Sequence, residues 1–164
     1  PKNKLEILFK KNDIFQEFIS KYKHLNITKI IIEEPLLNSN NIYTTSTLIK
    51  FNGMISKSVY DSFNIVADFI SSYDARKYAF PELMQPRTHN KKGEKLKNLP
   101  NPVLFGGFDF SADKKHIIFE KVSNMEPLII WQRNKYGLIK KECYDQSDAY
   151  CAVLGKMHMD GIWK

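Results

Sequence analysis

Cysteine is scarce in this sequence. Cys143 and Cys151 are the only two in 164 residues, and their spacing is neither that of a redox pair nor that of a zinc motif. A disulfide scaffold needs more of them, so both are expected to be reduced and structural. No apolar run approaches the roughly 20 residues that span a bilayer, and Pro1-Lys2-Asn3-Lys4 lacks the apolar core of a signal peptide. These absences lead to the expectation of a cytosolic protein with no membrane partner. The histidines His24, His89, His116 and His158 share no metal-ligand spacing, which leaves them core or surface roles. There is no internal repeat and no low-complexity segment.

What is present is enough for a folded core. Hydrophobic residues make up 43% of the chain and aromatics 13%, which places it with globular proteins despite its many Lys and Asn residues. The length suits one domain with a real core and is short for two, so residues 1–164 are read as a single domain. The formal net charge is +7. A positive field of that kind attracts polyanions such as nucleic acid, although many basic proteins bind none.

From Lys4 to Tyr22 the apolar residues recur mostly three and four apart, which predicts an amphipathic helix with a break at Lys11-Asn12-Asp13. Ile27 to Glu33 is β-branched and ends in a continuous apolar run, as in a central strand covered on both faces, and Pro35 ends it. Ile42 to Tyr60 reads as a long helix with Leu48, Phe51, Ile55 and Val59 on one face. Gly53 in its middle costs about 1 kcal/mol relative to Ala, which predicts a close approach of a helix or ligand there. Ile65 to Ile70 is a second short strand, followed by a polar segment with Asp74, Arg76 and Lys77. Residues 84–102, rich in Lys, Arg and Pro with few apolar anchors, are expected to form a mobile basic loop. Helical spacing returns at Lys114 to Val122, and Leu128 to Trp131 is strand-like. Asp145 to Met157 predicts a last helix with Ala149, Ala152 and Val153 facing inward. Strands alternating with helices predict an α/β domain with a mixed sheet.

Two acidic segments carry the chemistry: Ile31-Ile32-Glu33-Glu34-Pro35, and Asp145-Gln146-Ser147-Asp148-Ala149. A carboxylate at the exit of a buried strand is costly unless something positive meets it, and two Asp residues three apart on one helical face repel unless a cation lies between them. A divalent metal is the simplest common partner. Two-metal nucleases use such carboxylates, at strand ends and helix starts, to hold two Mg²⁺ about 4 Å apart. Structural roles compete with this. A strand-end carboxylate can cap a helix or pair with a lysine, Asp residues commonly cap helices, and lysines such as Lys114 and Lys115 are often only solvated. The basic loop is either plain surface or an arm that binds phosphates.

In order along the chain, these segments resemble the RuvC family of Holliday junction resolvases, within the RNase H-like superfamily and in the style of its phage members. The resemblance covers most of the chain. It rests on Ile31-Ile32-Glu33-Glu34, Phe51-Asn52-Gly53, Tyr73-Asp74-Ala75-Arg76-Lys77, Asp113-Lys114-Lys115 and, most specifically, Asp145-Gln146-Ser147-Asp148-Ala149. It implies an RNase H-like mixed sheet flanked by helices, and a metal-dependent endodeoxyribonuclease that resolves four-way or branched DNA. Glu33 would be the second acidic ligand, with Glu34 its alternative, and Asp145 and Asp148 the last two, holding two Mg²⁺ for which Mn²⁺ substitutes. Lys114 or Lys115 would stand near the scissile phosphate. Arg76, Lys77, Arg87, Lys91, Lys92 and Lys95 would contact DNA. A two-fold homodimer follows, with the Ile42–Tyr60 helix as part of its interface, in the cytoplasm of a bacterial cell or phage-infected host.

The chain departs from the family in two places. The family's first strand, which ends in an Asp, has no counterpart, because Asp13 stands in a polar setting and Gly107-Phe108-Asp109-Phe110-Ser111 falls where the family has the loop before its lysine helix. The resulting expectation is a fragment that lacks the first strand and cleaves poorly alone. Leu36 also replaces an aromatic residue. Two further readings are a non-catalytic module that binds DNA junctions or serves a structural role, and another RNase H-like nuclease acting on RNA-DNA hybrids or transposon ends.

Overall fold

The computed structural model describes residues 3–35, 42–86, 89, 94, 95, 97, 103, 104 and 113–163. The chain mixes helices with short strands, and it divides into two compact units, Pro1–Ser71 and Ser72–Lys164.

In the first unit, α1 (Lys4–Ser20) starts at Asn3, whose side chain accepts the Leu5 N–H at 3.1 Å. It packs on α2 (Ile42–Phe63) and buries Leu8 and Ile19. The break expected at Lys11-Asn12-Asp13 does not occur. The polar residues there serve the helix contact instead: the buried Ser58 hydroxyl donates to Asn12 Oδ1 at 3.0 Å and accepts from Gln16 Nε2 at 3.0 Å. A buried hydroxyl with both partners supplied is no reason for a helix to end.

Strand β1 (Ile31–Glu33) precedes α2 and β2 (Asp68–Ile70) follows it. The two strands pair in parallel, with Ile31 opposite Asp68, Ile32 opposite Phe69 and Glu33 opposite Ile70. Both are shorter than the apolar runs that announced them, Ile27–Glu33 and Ile65–Ile70. A ladder extends only where a partner strand runs alongside, and among the described residues each of these strands pairs only with the other. The strand expected to be covered on both faces is therefore only half-buried at Ile31 and Ile32 and exposed at Glu33.

In the second unit the segment read as merely polar is a helix, α3 (Ser72–Ala79), because Ala75 and Ala79, four apart, are buried where it packs on α5 (Lys141–Met159). A 3-10 turn at Pro81–Leu83 leads into β3 (Met84–Gln85), which pairs antiparallel with β4 (Val103–Leu104); His89 and Lys95 form a further bridge. The basic loop expected over 84–102 thus has paired residues at its base. Arg87, Lys91 and Lys92 lie outside the described residues, as do Leu36 and Gly107–Ser111. Helix α4 (Lys114–Met125) buries Ile118, Phe119 and Val122 and packs on α5. Leu128 to Trp131 forms no strand, and Leu128 and Ile130 are almost fully exposed.

Helix α5 begins four residues before the expected Asp145. Its buried residues are Cys143, Ser147, Cys151, Ala152, Leu154 and Gly155. Of the three residues expected to face inward only Ala152 does; Ala149 and Val153 are exposed. The true inward stripe is built from small residues four apart, which an apolar count underweights. Its tightest point is Gly155, where an added Cβ would lie 2.7 Å from Ala75 Cα on α3. By contrast a Cβ at Gly53 meets nothing within 4 Å, so the close approach expected in α2 belongs to α5. Gly155→Ala is accordingly expected to destabilise by about 1–3 kcal/mol, whereas Gly53→Ala gains about 0.5–1 kcal/mol. Urea denaturation reads both, and a Gly155→Ala protein as stable as the parent contradicts the close contact.

Tyr150 ties α5 to the end of α4 by donating to Glu126 Oε1 at 2.5 Å. The Glu126 hydrogen bond, with burial and the nearby charge adding to it, pushes its pKa up to about 12. Since the folded value lies above the ordinary one, the tie contributes stability below about pH 10 and loses it as pH rises toward the folded value. Denaturation series above about pH 9 should show a steeper loss of stability in the parent than in Tyr150→Phe. Parallel curves refute this.

Candidate functional site

The side chain of Asp113 accepts the N–H groups of Lys115 at 3.1 Å and His116 at 3.2 Å, which fixes where α4 starts. Lys115 then falls in the first turn, and its Nζ lies 3.2 Å from Asp145 Oδ1 and 3.5 Å from Asp148 Oδ2 on α5. From the other side, Arg76 of α3 brings Nη2 to 4.0 Å from Asp148 Oδ1. This geometry depends on the Ala75–Gly155 approach, since Arg76 follows Ala75 and Asp148 lies seven residues, two turns, before Gly155. His116 Nδ1 meets the Tyr144 hydroxyl at 3.2 Å, and His158 Nδ1–H donates to the Tyr78 carbonyl at 2.8 Å. Both histidines act as ties between helices.

Asp145 and Asp148 are the fifth and eighth residues of α5, well past its cap at Lys140. Neither is an N-cap, and the dipole of the helix start adds little at that depth. The expectation that they open the helix is thereby corrected. Their mutual repulsion is met within the chain, by the Lys115 ammonium between them and the Arg76 guanidinium beside Asp148. The hydrogen bond to Asp145, outweighing burial and joined by the Asp148 charge, holds the Lys115 pKa above its ordinary value. Of the two lysines left open by the sequence, Lys115 is the one on the carboxylates; Lys114 is exposed and forms no ion pair with either.

Two negative and two positive groups make the cluster formally neutral. The exposed Lys115–Asp145 pair contributes under about 1 kcal/mol, and the half-buried Arg76–Asp148 contact, at 4.0 Å, is too long for a hydrogen bond. Asp145 keeps 63% of its side chain exposed and Asp148 22%. An exposed carboxylate beside a half-buried one is a donor set that Mg²⁺ accepts, because that ion is held by one or two carboxylates while water and substrate phosphate complete its shell. Among the described residues, no group of three or more His, Cys, Asp or Glu side chains gathers to hold a metal ion.

Glu33 stands in the first unit. It lines an open cleft of about 420 Å³ with Glu34, Pro35, Thr44, Thr45, Leu48 and Asn52. The cleft opens at the carboxyl end of the parallel pair beside the first turns of α2, where α/β proteins commonly bind ligands. Asn52 Nδ2 donates to the Glu33 carbonyl at 3.0 Å, and the Glu34 N–H donates to the Ile70 carbonyl at 2.9 Å, so the end of β1 is held from two sides.

The residues expected to contact DNA fare differently. Arg76 is directed to Asp148, a partnership that sequence reasoning missed. Lys77 is exposed, with Nζ 6.0 Å and 5.4 Å from the ring centroids of Tyr73 and Tyr78. Lys95 is exposed next to His89. No family model, no curated protein and no solved structure matches the chain. Among the described residues no helix is long and apolar enough to cross a membrane.

Proposed function

We propose that the chain is an RNase H-like domain of a metal-dependent, structure-selective endonuclease that hydrolyses phosphodiester bonds in four-way or otherwise branched DNA. The observation that carries the reading is the Asp145–Asp148 pair on one face of α5 with the Lys115 ammonium between the two carboxylates. The net charge of +7 and the order of the acidic segments support it. Asp145 and Asp148 would hold the metal, and bound Mg²⁺ would supply water activation and charge neutralisation at the leaving oxygen. Lys115, whose Nζ reaches both carboxylates, would offer its ammonium to a phosphate oxygen as charge builds in the transition state. Arg76, with Nη2 4.0 Å from Asp148 Oδ1, is the second cation near that carboxylate.

Symmetric cutting of a junction requires two sites related by a two-fold axis. Exposed Ile42, Tyr43 and Ile49 on α2 support a dimer through that helix. A second reading, a junction-binding module without catalysis, is favoured by the neutrality of the cluster, since Lys115 and Arg76 already satisfy the carboxylates. A labelled four-way junction incubated with the protein and Mg²⁺ and run on a denaturing gel separates the two. Nicks near the branch point support the nuclease, whereas binding without nicks supports the module.

A further inference from the structure

Between Glu126 and Glu142 the chain carries Arg133, Lys135, Lys140 and Lys141 and no acidic residue. Part of this run folds as a tight hairpin. Arg133 bridges to Ile139, the Asn134 N–H donates to the Leu138 carbonyl at 2.8 Å, and the Lys140 N–H donates to the Gln132 carbonyl at 3.0 Å. The Asn134 side-chain oxygen accepts the N–H groups of Tyr136 at 2.9 Å and Leu138 at 3.1 Å. Gly137 takes the left-handed conformation, φ 78°, that the turn demands. At the base, Trp131 meets Phe119 of α4 edge-on at 5.1 Å, and Cys143 Sγ donates to the Gln132 carbonyl at 3.4 Å. The tip is therefore preorganised.

What the tip presents is Tyr136, 74% exposed, with Lys135 Nζ 4.9 Å from its ring centroid. An aromatic face held in water among cations, with no carboxylate along the run, is complementary to a flat base flanked by phosphates. A second copy of this surface would bring like charges together. An anionic bilayer offers phosphates but no flat base for the Tyr136 ring. We propose that this hairpin, residues 132–140, contacts unpaired DNA, with Tyr136 stacking on an exposed base while Lys135, Lys140 and the adjoining Lys141 meet phosphates. The proposal rests on the DNA-binding reading above and adds the element that recognises unpaired bases.

The test is fluorescence anisotropy with a labelled four-way junction carrying 2-aminopurine beside the branch point, against a fully paired duplex of the same sequence. Tyr136→Ala should weaken junction binding about tenfold, affect the duplex less and remove the change in 2-aminopurine emission, while Tyr136→Phe retains all three. Joint replacement Lys135→Gln and Lys140→Gln should lower the salt slope of log Kd by about one to two. Junction binding unchanged in Tyr136→Ala overturns the proposal. So does a loss confined to self-association in sedimentation, or to binding of phosphatidylserine vesicles. A parent protein that binds neither DNA overturns the DNA-binding reading itself, a result distinct from intact binding that ignores Tyr136.

Discussion

Asp148→Asn is expected to lower junction cleavage by at least about 100-fold and to leave junction binding close to that of the parent. Loss of a group that merely supports a metal ligand typically costs about 10- to 100-fold in affinity or activity, so loss of a ligand should cost no less. The exchange keeps the shape of the side chain, which is only 22% exposed, and leaves one oxygen, enough for one of the two cations that lie on Oδ1 and Oδ2. Fold stability should change by about 1 kcal/mol or less, because the Lys115 partner is half exposed and the Arg76 contact is 4.0 Å long. A gel assay of cleavage beside an anisotropy measurement of binding gives both values on one preparation. Cleavage retained in Asp148→Asn removes Asp148 from the metal site.

Lys115→Gln is expected to separate two effects that rise or fall together in a merely structural cluster. Its ammonium competes with any metal for the same carboxylates at 3.2 and 3.5 Å. Two unit charges about 4 Å apart interact by about 1 kcal/mol in a water-like medium, so removing the competitor should tighten metal binding about fivefold or more. The same change removes a cation that would neutralise phosphate charge in the transition state, and cleavage should fall by about 100-fold or more. Tighter metal with slower chemistry marks a residue that guards the site and then serves it. Lys114→Gln, on the exposed neighbour, should do neither.

The α/β character and the helices were legible because apolar spacing reports helix faces directly: α1, α2, α4 and α5 all lie where the pattern put them. Their ends and inward faces were less legible. Helix α3 hid in a polar segment because the residues it buries are two alanines, and the α5 stripe hid because Ser147 and Gly155 carry little apolar signal. The glycine that matters for packing was Gly155 rather than Gly53, a distinction set by which backbone lies opposite and invisible to spacing alone. Strand lengths were overestimated because β-branched runs reveal propensity, whereas pairing is a property of the partner. At the site, the Asp145–Asp148 pair and the need for a positive charge between them could be read from the sequence. That the charge comes from Lys115 and Arg76 could not, because both arrive from other helices.

Whether Asp145 and Asp148 form a cation site on which Lys115 stands in place of a metal is decided by titrating Mn²⁺ into the parent protein, Asp148→Asn and Lys115→Gln and measuring free Mn²⁺ by electron paramagnetic resonance. Tightest binding is expected for Lys115→Gln, intermediate for the parent and weakest for Asp148→Asn. Equal affinity in all three, or weaker binding in Lys115→Gln than in the parent, contradicts such a site.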